Sequence, residues 1–423
     1  MIGLDEARAF VLGSCTRLSP RPEAVDDALG RVTAVAVVAT EPVPPFVNSS
    51  MDGYAVRSAD LAAASPEHPV RLEAVATILA GSAPDGVVGP GQAARIMTGA
   101  PLPPGADAVC MLEVCTTDAA GATVVVDGPT AEGTFVRTVG QDVAVGDTVV
   151  SAGTTLTAAH LGSLANQGAA EVVVHPRPRV GVLSTGDELV EVGLPLRPGG
   201  IRDANRHSLL ALVRQEGWEA VDLGMVGDDE AAVAEVLDDA GRRCDAVLTS
   251  GGVSVGDADV VTSVLREHCG GSMRWMQVAI RPAKPFAFGL LDASATPVFG
   301  LPGNPVSAIV SFELLVRPAV RLMAGHSVLD RLTVPATVTA PLPRRSDGKV
   351  HFVRSVLSLD DSGAWSVRPL VGQESHQLSV MADANALIEL PDGDGCSGGD
   401  VVRVKVIAPD RLEVVRAATG SGA

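Results

Sequence analysis

Three short apolar runs in the middle of the chain each end in a glycine-bearing polar loop, and this repetition limits the fold more than any other feature. The run Ala246-Val247-Leu248 reads as a buried strand that stops at Ser250-Gly251-Gly252. There the missing side chains let a ligand approach the backbone N–H groups closely. The carboxylates Asp257 and Asp259 follow, and then Val260, Val261, Val264 and Leu265 mark one face of an amphipathic helix. Strand, glycine turn and helix N-terminus in that order suit a phosphate, and acids beside a phosphate suit a divalent cation. The layout recurs at Ser184-Thr185-Gly186-Asp187-Glu188 after Val180–Leu183, and at Gly300-Leu301-Pro302-Gly303-Asn304-Pro305 after Pro297–Phe299. In the last loop Asn304 suits a helix cap and Pro305 the first helical position. Each loop alone reads equally well as a tight strand-to-helix turn. Three of them, two with acids, favour one shared edge at the carboxyl ends of parallel strands.

The flanking pattern supports such a sheet. Strands at Val180–Leu183, Ala220–Met225, Ala246–Thr249 and Pro297–Phe299 alternate with helices at Ala204–Glu216, Asp228–Arg243, Asp259–Glu267 and Pro305–Met323. An extended pair lies near Gln277–Ile280 and Phe286–Leu290. Strands alternating with helices of this length predict a doubly wound parallel sheet over residues 177–325. Residues 45–137 read as a β-rich domain of segments such as Val70–Leu79, Ala93–Met97, Ala108–Val114 and Ala122–Val126. Residues 1–44 with 138–176 read as a mixed α/β linking or dimerisation domain. It has helices around Leu4–Leu12, Pro22–Leu29 and Ala158–Gln167, and a strand at Val32–Val38. After residue 325 five short strands, Leu332–Val338, His351–Leu357, Trp365–Leu370, Ala386–Leu390 and Val401–Ile407, predict a small C-terminal β-barrel over 326–408. Residues 409–423 read as a disordered tail. The fold class is therefore α/β multidomain.

A chain of 423 residues is too long for one core. Its 46% apolar content describes a soluble, ordered protein, and the net charge of −18 argues against nucleic acid or an anionic membrane as partner. An anionic small molecule then needs local Lys or Arg, backbone N–H groups or a metal. The six cysteines form no CxxC pair, no charged-then-apolar leader opens the chain, and no apolar run reaches ~18 residues, so a reduced, cytoplasmic protein is expected.

Five stretches carry a resemblance: PPFVNSSMDGYAV (44–56), RIMTGAPLPPGADAV (95–109), LSTGDEL (183–189), LTSGGVSVGDADVV (248–261) and FGLPGNPVSA (299–308). In that order and spacing the chain resembles the molybdopterin molybdenumtransferases, relatives of the E domain of gephyrin, over all but its tail. The resemblance implies four domains in an elongated homodimer, with a cleft shared between subunits. It implies insertion of molybdenum from molybdate into adenylylated molybdopterin, release of AMP, and help from Mg2+ or another divalent cation. The doubly wound domain is similar to the upstream adenylyltransferase, with which transient contact is implied. Molybdenum prefers the soft sulfurs that such a substrate brings, so the protein need supply only a cradle for phosphates and pterin and hard carboxylates for the helper ion.

Loops and resemblance together assign the site. Asp52, Asp142, Glu188, Asp228 and Asp259 are the catalytic candidates. Asp187, Glu188, Asp257 and Asp259 are the candidate metal ligands. Thr98, Arg137, Thr185, Gly186, Ser250, Gly251, Gly252, Ser254, Arg281, Lys284, Pro302, Gly303, Asn304, Pro305 and Ser375 are the substrate-binding candidates. Asp52, Thr98, Arg137, Asp142 and Ser375 enter by the resemblance alone, which implies that the first four face the sheet edge of the dimer mate. Bland readings stand beside these: Asp228 as a helix N-cap, Met51-Asp52-Gly53-Tyr54 as a plain turn, and Asp257 and Asp259 on opposite faces of an extended segment. The family usually has Lys-Pro-Gly-Lys-Pro where this chain has Arg281-Pro282-Ala283-Lys284-Pro285, Glu at Gln141 and Asp at Val47. These departures bear on the molybdate-binding set and are compatible with a paralogue of altered activity. An adenylyltransferase that makes the adenylate, and a gephyrin-like scaffold, are the competing readings; low aromatic content argues against the scaffold.

Overall fold

The computed structural model describes residues 1–251, 253 and 260–415. Gly252, Ser254, Asp257 and Asp259, all assigned to the site above, lie outside the described residues, as does the tail from 416. A six-stranded sheet organises the middle of the chain: β1 (Arg179–Thr185), β2 (Glu219–Val226), β3 (Ala246–Ser250), β4 (Arg274–Gln277), β5 (Pro285–Leu290) and β6 (Pro297–Leu301), in the order β2-β1-β3-β6-β5-β4. The four strands read from the sequence pair in parallel, and β5 and β4 add an antiparallel edge.

Alternation along the strands feeds two cores. Val180, Val182, Leu248 and Phe299 face one cluster, while Leu183, Val247 and Val298 face the other. The first face is covered by α1 (Leu4–Ser14), α2 (Ala204–Gln215) and the unbroken run of Pro305–Ser311, the π-helical turn Phe312–Val316 and Arg317–Met323. The second is covered by α3 (Glu230–Arg243) and α4 (Val260–His268). Helices on both faces explain why the strands read as near-continuous apolar runs. α1 thus belongs to this core rather than to the linking domain: Arg8 donates to Leu314 O at 3.0 Å, and Ile2 N–H to Gln277 O at 2.9 Å.

The β-rich region forms a curled six-stranded sheet, and the C-terminal region closes a barrel. In the barrel Val350–Asp360 pairs with Trp365–Pro369 on one side and Ala386–Leu390 on the other, completing a ring through Thr333–Val338 and Val401–Val406. All five predicted strands are present.

Four local expectations are corrected. Pro22–Leu29 is not a helix: Arg21–Ala24 pairs antiparallel with Glu171–His175, and only the 3-10 turn Val25–Asp27 follows. That single turn suffices to bury Val25 and Ala28, whose spacing mimicked a helix. Val32–Val38 breaks into Val32–Thr33 and Val37–Val38, with different partners, where the Thr33 hydroxyl turns to Ser151 O at 2.7 Å. Helix α3 starts at Glu230, and its cap is Asp229, which accepts from Ala232 N–H at 3.0 Å, so Asp228 stands outside the helix. Residues 409–415 are ordered: Glu413–Val415 adds a parallel strand beside Ser358–Asp360.

A buried ion cluster ties α2, the long helical run and the approach to the barrel. Glu216, just past α2, lies 2.8 Å from Arg317 Nε, 2.8 Å from Arg331 and 3.4 Å from Arg321, and Arg331 also reaches Glu313 at 2.9 Å. Burial pushes the Glu216 carboxyl up, but the Arg317 hydrogen bond and the charges of Arg331, Arg317 and Arg321 outweigh it and hold the group below its ordinary 4.5. A depressed carboxyl contributes stability that is present above that value and fades as the pH falls below it. Removing one partner of a buried ion pair costs ~3–5 kcal/mol. Glu216→Ala is therefore expected to lower the urea midpoint strongly at pH 7, with the gap to wild type narrowing below pH 4.5. An unchanged midpoint at pH 7 would refute this role.

Candidate functional site

Parallel register brings the carboxyl ends of β2, β1, β3 and β6 to one edge in that order. Thr185 stands beside Val226, Ser184 beside Ser250, and Ser250 beside Leu301. The strand ends from which the three glycine loops spring lie side by side, and the turn after β2, with Asp228, joins them.

The loops are also bonded to one another. Asn205, in the first turn of α2, donates its Nδ2 to Ser250 Oγ and to Gly303 O, both at 2.7 Å. Asp228 N–H donates to Asp187 Oδ1 at 3.1 Å, Gly186 N–H to Val226 O at 3.1 Å, and Gly251 N–H to Leu301 O at 3.1 Å. Gly251 has φ +101, and a methyl there would lie 3.1 Å from Thr185 O, so only glycine fits without strain. This bonding corrects one expectation. The Gly251 amide, expected to be offered to a phosphate, is engaged by Leu301 O, as the Gly186 amide is by Val226 O.

Beneath the edge lies a buried support. Asp203, only 1% exposed, caps α2 by accepting from Arg206 N–H, and it accepts from Ser184 Oγ at 3.0 Å and Arg206 Nε at 2.9 Å. Arg206 reaches on to Asp222 and Glu191, each at 2.6 Å. Thus Asn205 is held between two residues whose own bonds fix both the helix start and β1.

At the β6 end, Pro305 occupies the first helical position as expected, while Asn304 stands at the cap without a side-chain capping bond. The Val306 N–H that such a cap would serve is taken by Ser375 O at 3.1 Å, which seats the 373–375 loop of the barrel region on this helix start. Buried Arg354 steadies that loop through Glu374 O at 2.9 Å and Gln373 Oε1 at 3.2 Å. Arg281, on a short strand beside Val350-His351, lies 3.6 Å from Glu374, and Lys284 is exposed three residues on. Between them buried Ala283 is held at φ +80, the left-handed region that glycine occupies freely and alanine does not. The loop keeps a glycine-like conformation with an alanine in it.

Asp187 and Glu188 are exposed within one turn, with the Glu188 carboxylate folded back against Gly186. Magnesium is commonly held by one or two carboxylates together with substrate phosphates and waters, and this pair fits that donor set. Among the described residues no group of three or more His, Cys, Asp or Glu forms a closed metal cage.

Asp52, Thr98, Arg137 and Asp142 make up a second set of candidates, the first three in the β-rich region and Asp142 just beyond it. Asp52 Oδ1 accepts from both the N–H and the hydroxyl of Thr98 at 2.7 Å. Arg137 pairs with Asn48 across two short strands, and Asp142 N–H bonds Val43 O. Among the described residues no hydrogen bond joins this set to the sheet edge. Met51-Asp52-Gly53-Tyr54 is no plain turn: Gly53 opens a strand, and a Cβ on it would collide with the Cys110 carbonyl. Gln141 accepts from Thr138 N–H at 3.1 Å, a turn bond that a Glu carboxylate could equally make. Sequence reasoning missed Asn205 and Arg354; the only signals were an amide in a first helical turn and an arginine inside a strand pattern.

Comparison with known proteins covers nearly all of the chain. Residues 2–168 match the MoeA N-terminal region (domain I and II), 181–322 a probable molybdopterin binding domain, and 337–407 the MoeA C-terminal region (domain IV). The chain is 36% identical over 411 residues to a molybdopterin molybdenumtransferase of Haemophilus influenzae, covering 96% of this chain and 98% of that one. It is 40% identical over 398 residues to molybdopterin molybdenumtransferase 2 of Mycobacterium tuberculosis, covering 93% and 96%. A solved molybdopterin biosynthesis MoeA protein from Pyrococcus horikoshii superposes with a TM-score of 0.79 at 28% identity, covering 96% and 100%.

The Thr98 backbone N–H, and then its hydroxyl, hold the exposed Asp52 carboxyl below its ordinary 3.8. Thr98→Val removes the hydroxyl bond and keeps the backbone one. The Asp52 titration, followed by carboxyl-carbon NMR, is expected to move up toward 3.8. An unmoved titration would show that the hydroxyl contributes nothing.

Proposed function

The chain belongs to the molybdopterin molybdenumtransferase family, and we propose that it inserts molybdenum from molybdate into the dithiolene of adenylylated molybdopterin, with release of AMP. The observation that carries this reading is the Asn205 bridge. One amide holds the β3 loop and the β6 loop together, beside the exposed carboxylates Asp187, Glu188 and Asp228. That arrangement supports a cradle for a phosphate-linked substrate flanked by a site for a hard cation.

Catalysis on this reading is mainly positioning and electrostatics. Gly303 and Asn304, whose amides make no hydrogen bond with another described backbone group, present the β6 helix start to the phosphates. Arg281 and Lys284 bring positive charge to an otherwise acidic protein, and the guanidinium fork of Arg281 suits an oxyanion. Asp187 and Glu188 would hold the divalent cation, which when bound offsets negative charge on the phosphates. Asp259 and Asp257 are proposed as further ligands and Asp228 as a catalytic carboxylate. Ser375 is proposed to close the cleft from the barrel side.

Asp52, Thr98, Arg137 and Asp142 are proposed to complete the cleft from the second subunit of a homodimer. Their lack of hydrogen bonds to their own sheet edge, among the described residues, is compatible with that. No helix among the described residues is long and apolar enough to cross a membrane. We place the protein in the cytoplasm, where the upstream adenylyltransferase would hand over substrate.

Adenylate cleavage is expected only when molybdate and a divalent cation are both present, and full-rate turnover without molybdate would overturn the proposal. Formation of adenylate from ATP and molybdopterin would indicate the adenylyltransferase reading instead. Asp259→Ala is expected to abolish turnover with the melting temperature unchanged; retained activity would remove that residue from the site. Asn205→Ala frees both loops at once and is expected to lower kcat/KM on the order of 10²-fold, the typical cost of misplacing reacting groups by ~1 Å. A wild-type value would show that the bridge is dispensable.

A further inference from the structure

Where the N-terminal three-stranded sheet meets the doubly wound domain, the stiff segment His175-Pro176-Arg177-Pro178 borders a cavity of about 170 Å³. Arg31, Arg177, Trp218, Glu216 and His326 are among its walls. The cavity is bordered by the segments that enter β1 and β2, at the opposite ends of those strands from the sheet edge, and the proposed reaction makes no use of it.

Its electrostatics are out of balance. Arg31 is 8% exposed, and one terminal nitrogen pairs with Glu23 Oε1 at 2.8 Å. Its Nε has no hydrogen-bond partner. A buried guanidinium N–H left unpaired carries a desolvation penalty that natural structures rarely leave uncompensated. Arg177 and Arg21 act on Arg31 as like charges, so cations gather at this joint in a protein whose net charge is −18.

The acids nearby do not restore the balance. Glu23 pairs with Arg31 through Oε1 alone, its buried Oε2 having no hydrogen-bond partner, and Glu216 is held by Arg317, Arg321 and Arg331. His326 bonds the Thr155 hydroxyl at 3.3 Å, and burial followed by the Arg321 charge pushes its pKa down to about 4, so it adds a neutral polar wall. The volume falls below the ~300–1,000 Å³ of pockets for drug-sized ligands, which restricts an occupant to a small group.

We infer that this hinge cavity binds a small tetrahedral oxyanion of the phosphate or sulfate class, received by the unpaired Nε–H of Arg31 and by the Arg177 guanidinium. Arginine suits that task, because its planar fork bonds oxyanions through parallel N–H groups and is lightly hydrated. The bound anion ties Arg31, beside the N-terminal sheet, to the segment leading into β1, and so stiffens the joint between the two bodies.

Inorganic phosphate titrated calorimetrically into the full-length chain tests this. Saturable binding is expected, with a rise in melting temperature. Arg177→Gln, at an exposed position where folding is not at stake, should weaken binding at least tenfold, and Arg281→Gln at the sheet edge should not. Parallel titrations with sulfate and molybdate identify which oxyanion the cavity prefers, and saturable binding of any of them with this Arg177 dependence supports the assignment. Absence of saturable binding by all three anions would overturn it. Equal affinity in wild type and Arg177→Gln, or loss confined to Arg281→Gln, would overturn it as well by placing the anion elsewhere.

Discussion

One buried carboxylate orders the sheet edge. Asp203 simultaneously caps α2, accepts the Ser184 hydroxyl from β1 and pairs with Arg206. A charge so deeply buried is tolerable only when hydrogen-bonded on several sides. Those demands leave the start of α2 one position relative to β1. The residue after next, Asn205, then has no choice of height above the sheet, and its amide meets Ser250 and Gly303 together. The strand ends lie side by side because the register is parallel, and they stay so because the amide between them hangs from a neutralised core charge.

The proposed chemistry asks for this kind of rigidity. A substrate that carries its own sulfur ligands leaves the protein to arrange phosphates, cation and oxyanion in space, and effective molarity depends on how little those groups wander. Positive charge at the edge is sparse, with Arg281 and Lys284 on one loop. The seating of Ser375 against Val306 N–H matters for the same reason, since it sets where the barrel region lies relative to those cations.

Much of the architecture was legible in the residues because both sheet faces are covered, so the parallel strands are unbroken apolar runs and their ends coincide with glycines. The five barrel strands were legible through alternation. What failed was local. Pro22–Leu29 has helical spacing, but tertiary pairing with Glu171–His175 recruited its first half as an edge strand. Asp228 and Asp229 are chemically identical as caps, and only coordinates tell which one accepts from Ala232. The strand ends that carry the glycine loops were rightly placed, yet the amides of Gly186 and Gly251 are engaged by neighbouring strands, which no pattern of side chains discloses. Asn205 escaped notice because its importance comes from residues 45 and 98 positions away.

The packing of α1 has a bearing on how the chain is made. Arg8 finds its carbonyl partner at Leu314, a separation of 306 residues, and Ala7 and Val11 bury against strands and helices that begin only at residue 179. At translation rates of ~5–20 residues per second, the ribosome takes roughly 15–60 s to deliver that partner after Arg8 itself. Throughout that interval the apolar face of α1 stays bare while the β-rich region is synthesised and completed beside it. A segment made well before its partners is thus among the last to be buried.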